Sequence, residues 1–384
     1  MNIIFFDGEE WGNLRPFTLT KPLSELRMGA FTFRERWEKL LGGTYSHLTQ
    51  DYLVSKYPIR IENQNLFLNP SIFPDLYLVE AIQNLKVGDS LWSKGGSLVA
   101  AYCDAEDFNK NQFQQKVELE KEYIQIRKLW DLFQYNFHTI LFDFQLLTKG
   151  RISQPISETN GIINPSQIFI EEGAAVEYAV LNAKNGPIYI GKEAEIMEGS
   201  LVRGSFVMCE HSKLHMGSKI YPGTTIGPHC KVGGEVNNSI LMGYSNKGHE
   251  GFLGNSVIGE WCNLGADTNN SNLKNNYSEI KLWDYTSEAY INSGLQFCGL
   301  MMGDYSKSAI NTQFNTGTVV GISANVFDSG FPPKFIPSFA WGGAADSKQF
   351  ELDKSFEAAS KMMERRKKIL TEEEKQILRH IYQK

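Results

Sequence analysis

From Ile190 an apolar side chain returns every six residues, at Ile196, Val202, Met208, Leu214, Ile220, Ile226 and Val232. Eight successive matches are hard to obtain by chance in a chain that is 42% hydrophobic. Glycine follows several of them, as in Ile190-Gly191, Ile226-Gly227 and Val232-Gly233. The phase recurs at Ile258-Gly259 and Leu264-Gly265, then at Met302-Gly303, Phe314, Val320-Gly321 and Val326. A short strand every six residues explains this, each strand pointing one aliphatic group inward and a small residue turning the corner. Three such strands close a triangular coil, and stacked coils bury a continuous apolar column. An amphipathic helix would instead need a period near 3.6, and a sandwich strand an alternation of two. Residues 234–254 and 269–302 break the period. Such breaks predict loops thrown out from one face, often the binding face.

Outside the repeat the pattern changes. Residues 1–155 mix strand-like runs (3–6 and 98–102) with helical patches (31–41 and 129–147), which predicts an α/β domain. Residues 151–165, RISQPISETNGIINP, read as the connection. Beyond Pro333 and Pro337 the chain turns charged and helical, and Thr371 with Glu374 fits a capping box. The expected divisions are 1–155, 156–342 for the solenoid and 343–384 for a helical segment. Residues 362–369 are basic, with Arg365, Arg366, Lys367 and Lys368. They predict a solvated helix face or a cap on the solenoid, with a phosphate or CoA site as the alternative.

Composition narrows the class. A chain of 384 residues exceeds a usual single core. The net charge of −6 argues against a nucleic-acid binder, although local clusters still permit phosphorylated substrates. The start, MNIIFFDGEEWGNL, has no basic n-region, and no run of eighteen apolar residues occurs. Neither a signal peptide nor a membrane span is expected. Cys103, Cys209, Cys230, Cys262 and Cys298 form no CxxC, which predicts buried free thiols in a reducing cytoplasm.

The densest chemistry lies in residues 243–274, where His249 sits in a Gly-rich loop before the repeat resumes with asparagines. Imidazole titrates near neutral pH and can take a proton from an ammonium substrate. The order His249-Glu-Gly-Phe252-Leu-Gly254-Asn255, Ile258-Gly259, Asn263-Leu-Gly265-Ala266-Asp267-Thr268 carries a resemblance, supported upstream by Glu235-Val-Asn-Asn-Ser239. It resembles the acetyltransferase domain of the bifunctional N-acetylglucosamine-1-phosphate uridyltransferase/glucosamine-1-phosphate acetyltransferase family, whose motif runs His-x-x-Tyr-x-Gly-Asp, Ile-Gly, Asn-Ile-Gly-Ala-Gly-Thr. The resemblance implies a left-handed parallel β-helix that trimerises and transfers an acetyl group from acetyl-CoA to an amino-sugar phosphate. It assigns the base to His249, sugar contacts to Asn263 and Asn272, and pantetheine contacts to Ala266 and Ser293.

This sequence also departs from that family. The phosphate-binding lysine is replaced by Asn237, the tyrosine by Phe252, and the arginine before Pro222-Gly223 by Tyr221. Lys219, Lys247, Lys274 or Arg203 are the cations available as substitutes. The run from Leu14 to Gly29 resembles the opening of sugar-1-phosphate nucleotidyltransferases, which implies Arg15, Lys21 and Arg27 at a nucleotidyl site taking Mg²⁺ and a nucleoside triphosphate such as UTP. The family's glycine-rich phosphate loop is replaced by Asp7-Gly8-Glu-Glu-Trp-Gly12, with Asp104 as a guess for a magnesium ligand. With Trp130-Asp131-Leu-Phe and the segment 330–343, nearly the whole chain resembles a variant group from Bacteroidetes-like bacteria in which the two domains are fused. The expected partners are therefore small molecules and further copies of the chain in a homotrimer, with no nucleic acid and no membrane. Three alternatives stand beside this reading: an inactive first domain, a non-catalytic scaffold, and a zinc site. The zinc site would use His211 and His229, eighteen residues apart, with His215 close by; the expectation is that no metal binds.

Overall fold

The computed structural model describes residues 1–343 and 348–384. The chain divides into two compact units, one of Met1–Leu14, Thr18–Leu26 and Phe31–Leu129, the other of Arg15–Phe17, Arg27–Ala30 and Trp130–Lys384.

The first unit is α/β. Its strands lie in the order Thr44–Leu48, Asn2–Phe6, Asn65–Leu68, Leu98–Cys103, Asp89–Trp92, Gln115–Glu118. Asn2–Phe6 pairs in parallel with both of its neighbours, and Leu98–Cys103 runs antiparallel to both of its own. After Asn2 the first strand is apolar, because both its faces are covered. Ile3 and Phe5 pack with Trp37 and Leu66, while Ile4 packs with Phe67 on the other face. The helix predicted at 31–41 forms as Phe33–Leu41, opened by a capping box between Thr32 and Glu35.

The second unit is a parallel β-solenoid with three faces. Nine strands stack in the first sheet, from Ile168–Ile170 to Phe335–Ile336, and ten in the second, from Ala175–Val176 to Lys348–Gln349. The third face carries six strands from Gly161–Ile163 to Phe252–Gly254, and Asn269–Asn270 and Gln313–Phe314 form a further pair. Register advances one coil at a time, so Ile190, Met208 and Ile226 superpose, and this column is fully buried. The residues flagged by the six-step pattern are the core.

Only one of the two breaks is an excursion. Between the solenoid strands Asn269–Asn270 and Leu300–Met302 the chain leaves the coil and forms an antiparallel hairpin, Lys281–Asp284 with Ala289–Asn292. Residues 234–254 do not leave it: Glu235–Asn237, Ile240–Gly243, Asn246–Lys247 and Phe252–Gly254 all pair with the coils before them. The period fails there for two physical reasons. The corners are short, so Val232, Val236 and Leu241 are four and five residues apart, and one inward position is a lysine.

The corner between the first and second sheets requires the left-handed backbone region, and it uses few glycines. His211, His229, Tyr244 and Trp261 occupy it at φ of 55°, 58°, 55° and 60°. Such a conformation costs a non-glycine residue about 1–2 kcal/mol. Stacking offsets it: ring centroids are 4.8 Å apart for His211–His229 and His229–Tyr244, and 4.2 Å for Tyr244–Trp261.

The patch at 129–147 becomes helices Asp131–Gln134 and Asn136–Thr148. Helices Leu352–Glu364 and Glu372–Tyr382 close the chain, the last opened by the predicted capping box of Thr371 and Glu374. Replacing Thr371 with alanine is expected to cost the last helix about 1 kcal/mol, read as faster amide exchange confined to residues 372–382. Among the described residues no helix is long and apolar enough to cross a membrane.

Candidate active site

The second sheet of the solenoid presents a ladder of outward side chains. Lys231, Asn246, Asn263 and Lys307 follow one another in register, each next to an inward-facing neighbour. Above them lies a cavity of about 710 Å³ whose floor is this ladder and whose corner wall is Tyr244 and Trp261. His249 and Ala266 line the other wall. Lys361, Arg365 and Arg366 line it from the C-terminal helical segment. Gly265 is required here, since a Cβ on it would lie 2.4 Å from the Ala309 carbonyl carbon of the next coil.

The charge of this cavity decides what it can hold. Five lysine and arginine side chains line it, together with His215 and His249, and among the described residues no carboxylate does. Burial, together with Arg366, Lys213 and Arg365 nearby, lowers the affinity of the Lys231 amine for its proton. Burial does the same to Lys307. Arg366 is held in place by donating to the carbonyl of His229 at 3.1 Å and to Asn246 Oδ1 at 3.4 Å. Lys361 is paired with Glu357, yet the remaining excess of positive charge, in a chain of net charge −6, suits an anion.

The loop Gly248–Gly251 turns the corner from the second face to the third. His249 is exposed on it. The loop is fixed from two sides: His215 Nδ1 donates to the Gly248 carbonyl at 2.7 Å, and Lys247 Nζ donates to the His249 carbonyl at 2.9 Å.

Thus His249, Asn263 and Ala266 share one cavity. The other residues singled out in the sequence lie elsewhere. Asn237 is in register with Gly254 on the third face, where Phe252 and Asn272 both crowd that glycine. Asn272 donates to Asn255 Oδ1 at 2.8 Å. Lys274 donates to the carbonyl of Glu279 at 2.6 Å, and Ser293 to that of Ile280 at 2.6 Å, so both brace the excursion. Tyr221 is 41% exposed. Lys231, Lys307, Tyr244 and Trp261 escaped the sequence reading; the signal for the lysines was their constant place one residue before the inward position.

Neither arrangement gathers histidines for a metal. His211 and His229 stack face to face, His211 also meets Glu193 at 3.1 Å, and His215 is bonded to the loop. Among the described residues no group of three histidine, cysteine, aspartate or glutamate side chains could hold an ion.

In the first part of the chain, Lys21 is buried. Arg15 and Arg27 belong to the second unit: the Arg15 guanidinium lies 5.4 Å from the Tyr285 ring, and Arg27 donates to the carbonyl of Ala30. Asp104 caps the helix Ala105–Lys110, accepting from Asp107 N. Asp7, at the C-terminal end of the first strand, accepts from Leu23 N at 2.9 Å and from Thr49. Burial, with Glu10 adding repulsion, pushes its carboxyl up to about 6. Because the folded value lies above the unfolded one, the charged form destabilises the fold, and the penalty appears as pH rises through 4 to 6. Asp7→Asn is expected to melt above wild type at pH 7.5 and equal to it at pH 4, by calorimetry. A wild type melting higher at pH 7.5 would contradict this.

Residues 3–152 match the family model described as "Sugar nucleotidyl transferase". A "Bifunctional sugar-1-phosphate nucleotidylyltransferase/acetyltransferase" of Sulfurisphaera tokodaii is 26% identical over 144 residues, 37% of this chain. The match spans 35% of that relative's length. The chain therefore joins a segment similar to sugar nucleotidyl transferases, residues 3–152, to a parallel β-solenoid.

Proposed function

We propose that this protein is a bifunctional transferase: an acetyl-CoA-dependent N-acetyltransferase acting on an amino-sugar phosphate such as glucosamine 1-phosphate, joined to a sugar-1-phosphate nucleotidyltransferase. The observation that carries the first activity is the shared cavity. A base candidate, His249, and an amide, Asn263, face a space lined by five cations and, among the described residues, no carboxylate. Acyl-CoA and sugar phosphates are both polyanions, and charge-assisted contacts are the strong ones for such ligands. In this reading His249 takes the proton from the sugar ammonium. The freed amine attacks the thioester carbonyl to form the carbon–nitrogen bond, the carbon–sulfur bond breaks, and the nitrogen sheds its surplus proton as the leaving CoA thiolate takes one up. The cations replace those lost at Asn237 and Tyr221, although they come from other positions. The reading includes a homotrimer and a cytoplasmic location, with a nucleotide sugar such as UDP-N-acetylglucosamine, a cell-wall precursor, as the end product.

The second activity rests on the family match of residues 3–152. With Mg²⁺ and UTP it would release pyrophosphate, through Lys21 and with Arg15 and Arg27 as further candidates. The carboxylates of half-buried Asp7 and buried Glu10 favour a second reading, in which this domain does not bind a triphosphate and the chain is an acyltransferase alone.

The test is free-thiol release from acetyl-CoA with glucosamine 1-phosphate, run beside Mg²⁺-dependent pyrophosphate release with UTP. Thiol release that requires the sugar supports the acetyltransferase. Its absence with glucosamine 1-phosphate and with other amino sugars would leave a non-catalytic scaffold. Pyrophosphate release that falls in Lys21→Ala supports the nucleotidyltransferase, and none from wild type leaves the single-function reading.

A further inference from the structure

The inner column of the second face runs Val176, Ile196, Leu214, Val232, Lys247, Leu264, Ser308, Val326. One member is charged. Lys247 is 1% exposed, with its stem packed among aliphatic neighbours one coil away on either side. A buried ammonium is expensive unless every donor finds an acceptor. Here Nζ donates to the carbonyl of Gly233 and to that of His249, each at 2.9 Å. Burial is the main cause that brings the amine down to about 8; Glu250 and Asp267 oppose it, and Lys219 adds to it. The ammonium therefore remains the main form at neutral pH.

A valine or leucine at this position would pack as its column neighbours do, so packing does not call for a lysine. What the lysine adds is a bond, from inside the coil, to the carbonyl of the residue carrying the candidate base. His215 grips the preceding carbonyl, that of Gly248, from outside. Two consecutive peptide oxygens are thus held, which fixes the backbone from which the His249 ring projects. Without these bonds a loop flanked by Gly248 and Gly251 would have wide conformational freedom.

We propose that Lys247 is a positioning residue, a cation sunk in the solenoid core to hold the His249 loop in its reactive conformation. The kinetic part of this rests on the acetyltransferase reading; the conformational part does not.

The experiment compares wild type with Lys247→Met, which keeps the length of the stem and matches an apolar column. Amide exchange is measured across residues 243–254 and the rest of the solenoid, alongside kcat and KM for thiol release. Exchange in 248–251 is expected to speed up at least tenfold with the remaining coils unchanged. The kcat is expected to fall about 30-fold, with both KM values within threefold. If the methionine variant does not fold, Lys247→Gln, whose amide can still give one of the two bonds, is expected to show the same pattern with a smaller fall, about fivefold. Unchanged exchange at 248–251 overturns the proposal, as does loss of protection spread evenly over the solenoid, which means packing alone. Wild-type kcat in a variant whose loop has loosened also overturns it. If wild type releases no thiol at all, the acetyltransferase reading fails, while the exchange result still decides whether Lys247 holds the loop.

Discussion

His249→Ala is expected to lower kcat for thiol release by roughly 10²–10⁴-fold, the range by which a positioned general base accelerates proton transfer. The KM values for acetyl-CoA and for the amino sugar should stay within about threefold. The reason lies in the geometry. His249 is exposed at the cavity wall, and its loop is anchored through the backbone carbonyls of Gly248 and His249, not through the imidazole. Removing the ring therefore leaves the anchors, the ladder and the cations in place, so binding should survive while deprotonation fails. A second arm sharpens the result. Exogenous imidazole should restore part of the lost rate to the alanine variant, because the space left is open to the cavity. A variant that keeps more than a third of wild-type kcat would mean that the amine loses its proton elsewhere. A variant that loses rate only through a raised KM would make His249 a binding group.

Much of this site was legible in the residues and some was not, for identifiable reasons. The six-residue period reported the inward column directly, because burial selects one aliphatic group per strand whatever else the coil does. The same rule misled at residues 234–254. There the corners shorten and Lys247 occupies an inward place, so a continuous run of strands read as a loop. The His211–His229 pair was visible as a spacing of one coil, but the spacing could not distinguish a metal pair from stacked rings. The outward ladder of Lys231, Asn246, Asn263 and Lys307 was hidden for the opposite reason: exposed positions obey no hydrophobic rule, and only register brings them together. The basic run at 362–369 was plain, yet its role depends on where the helix Leu352–Glu364 lies. Arg365 and Arg366 face the cavity, a fact that no local pattern contains. Arg15 and Arg27 show the same limit, since segments of three and four residues carry them into the second unit.

Lys307→Ala and Lys231→Ala are each expected to weaken CoA binding about tenfold, and the double variant by roughly a hundredfold. A hydrogen bond to a charged group contributes about 1.5–3 kcal/mol, so loss of one lysine–phosphate contact gives at least that factor. The effect should depend on the ligand's charge. Titration calorimetry with CoA and with phosphate-free pantetheine separates the cases: the first should lose affinity in each variant, the second should not. Ionic strength supplies an independent axis. Lys231 sits among Arg365, Arg366 and Lys213, which disfavour its own charge, so a bound phosphate relieves repulsion as well as gaining attraction. Wild-type affinity for CoA should therefore fall steeply with salt, and the double variant should show a shallower slope. The free variants should also unfold no earlier than wild type, since each substitution removes one like charge from a cavity that no carboxylate lines among the described residues. Equal losses for CoA and pantetheine would mean that the lysines shape the wall and do not bind phosphate. Weakened binding of glucosamine 1-phosphate with CoA unaffected would assign the cation ladder to the acceptor, and place the donor's phosphates outside this cavity.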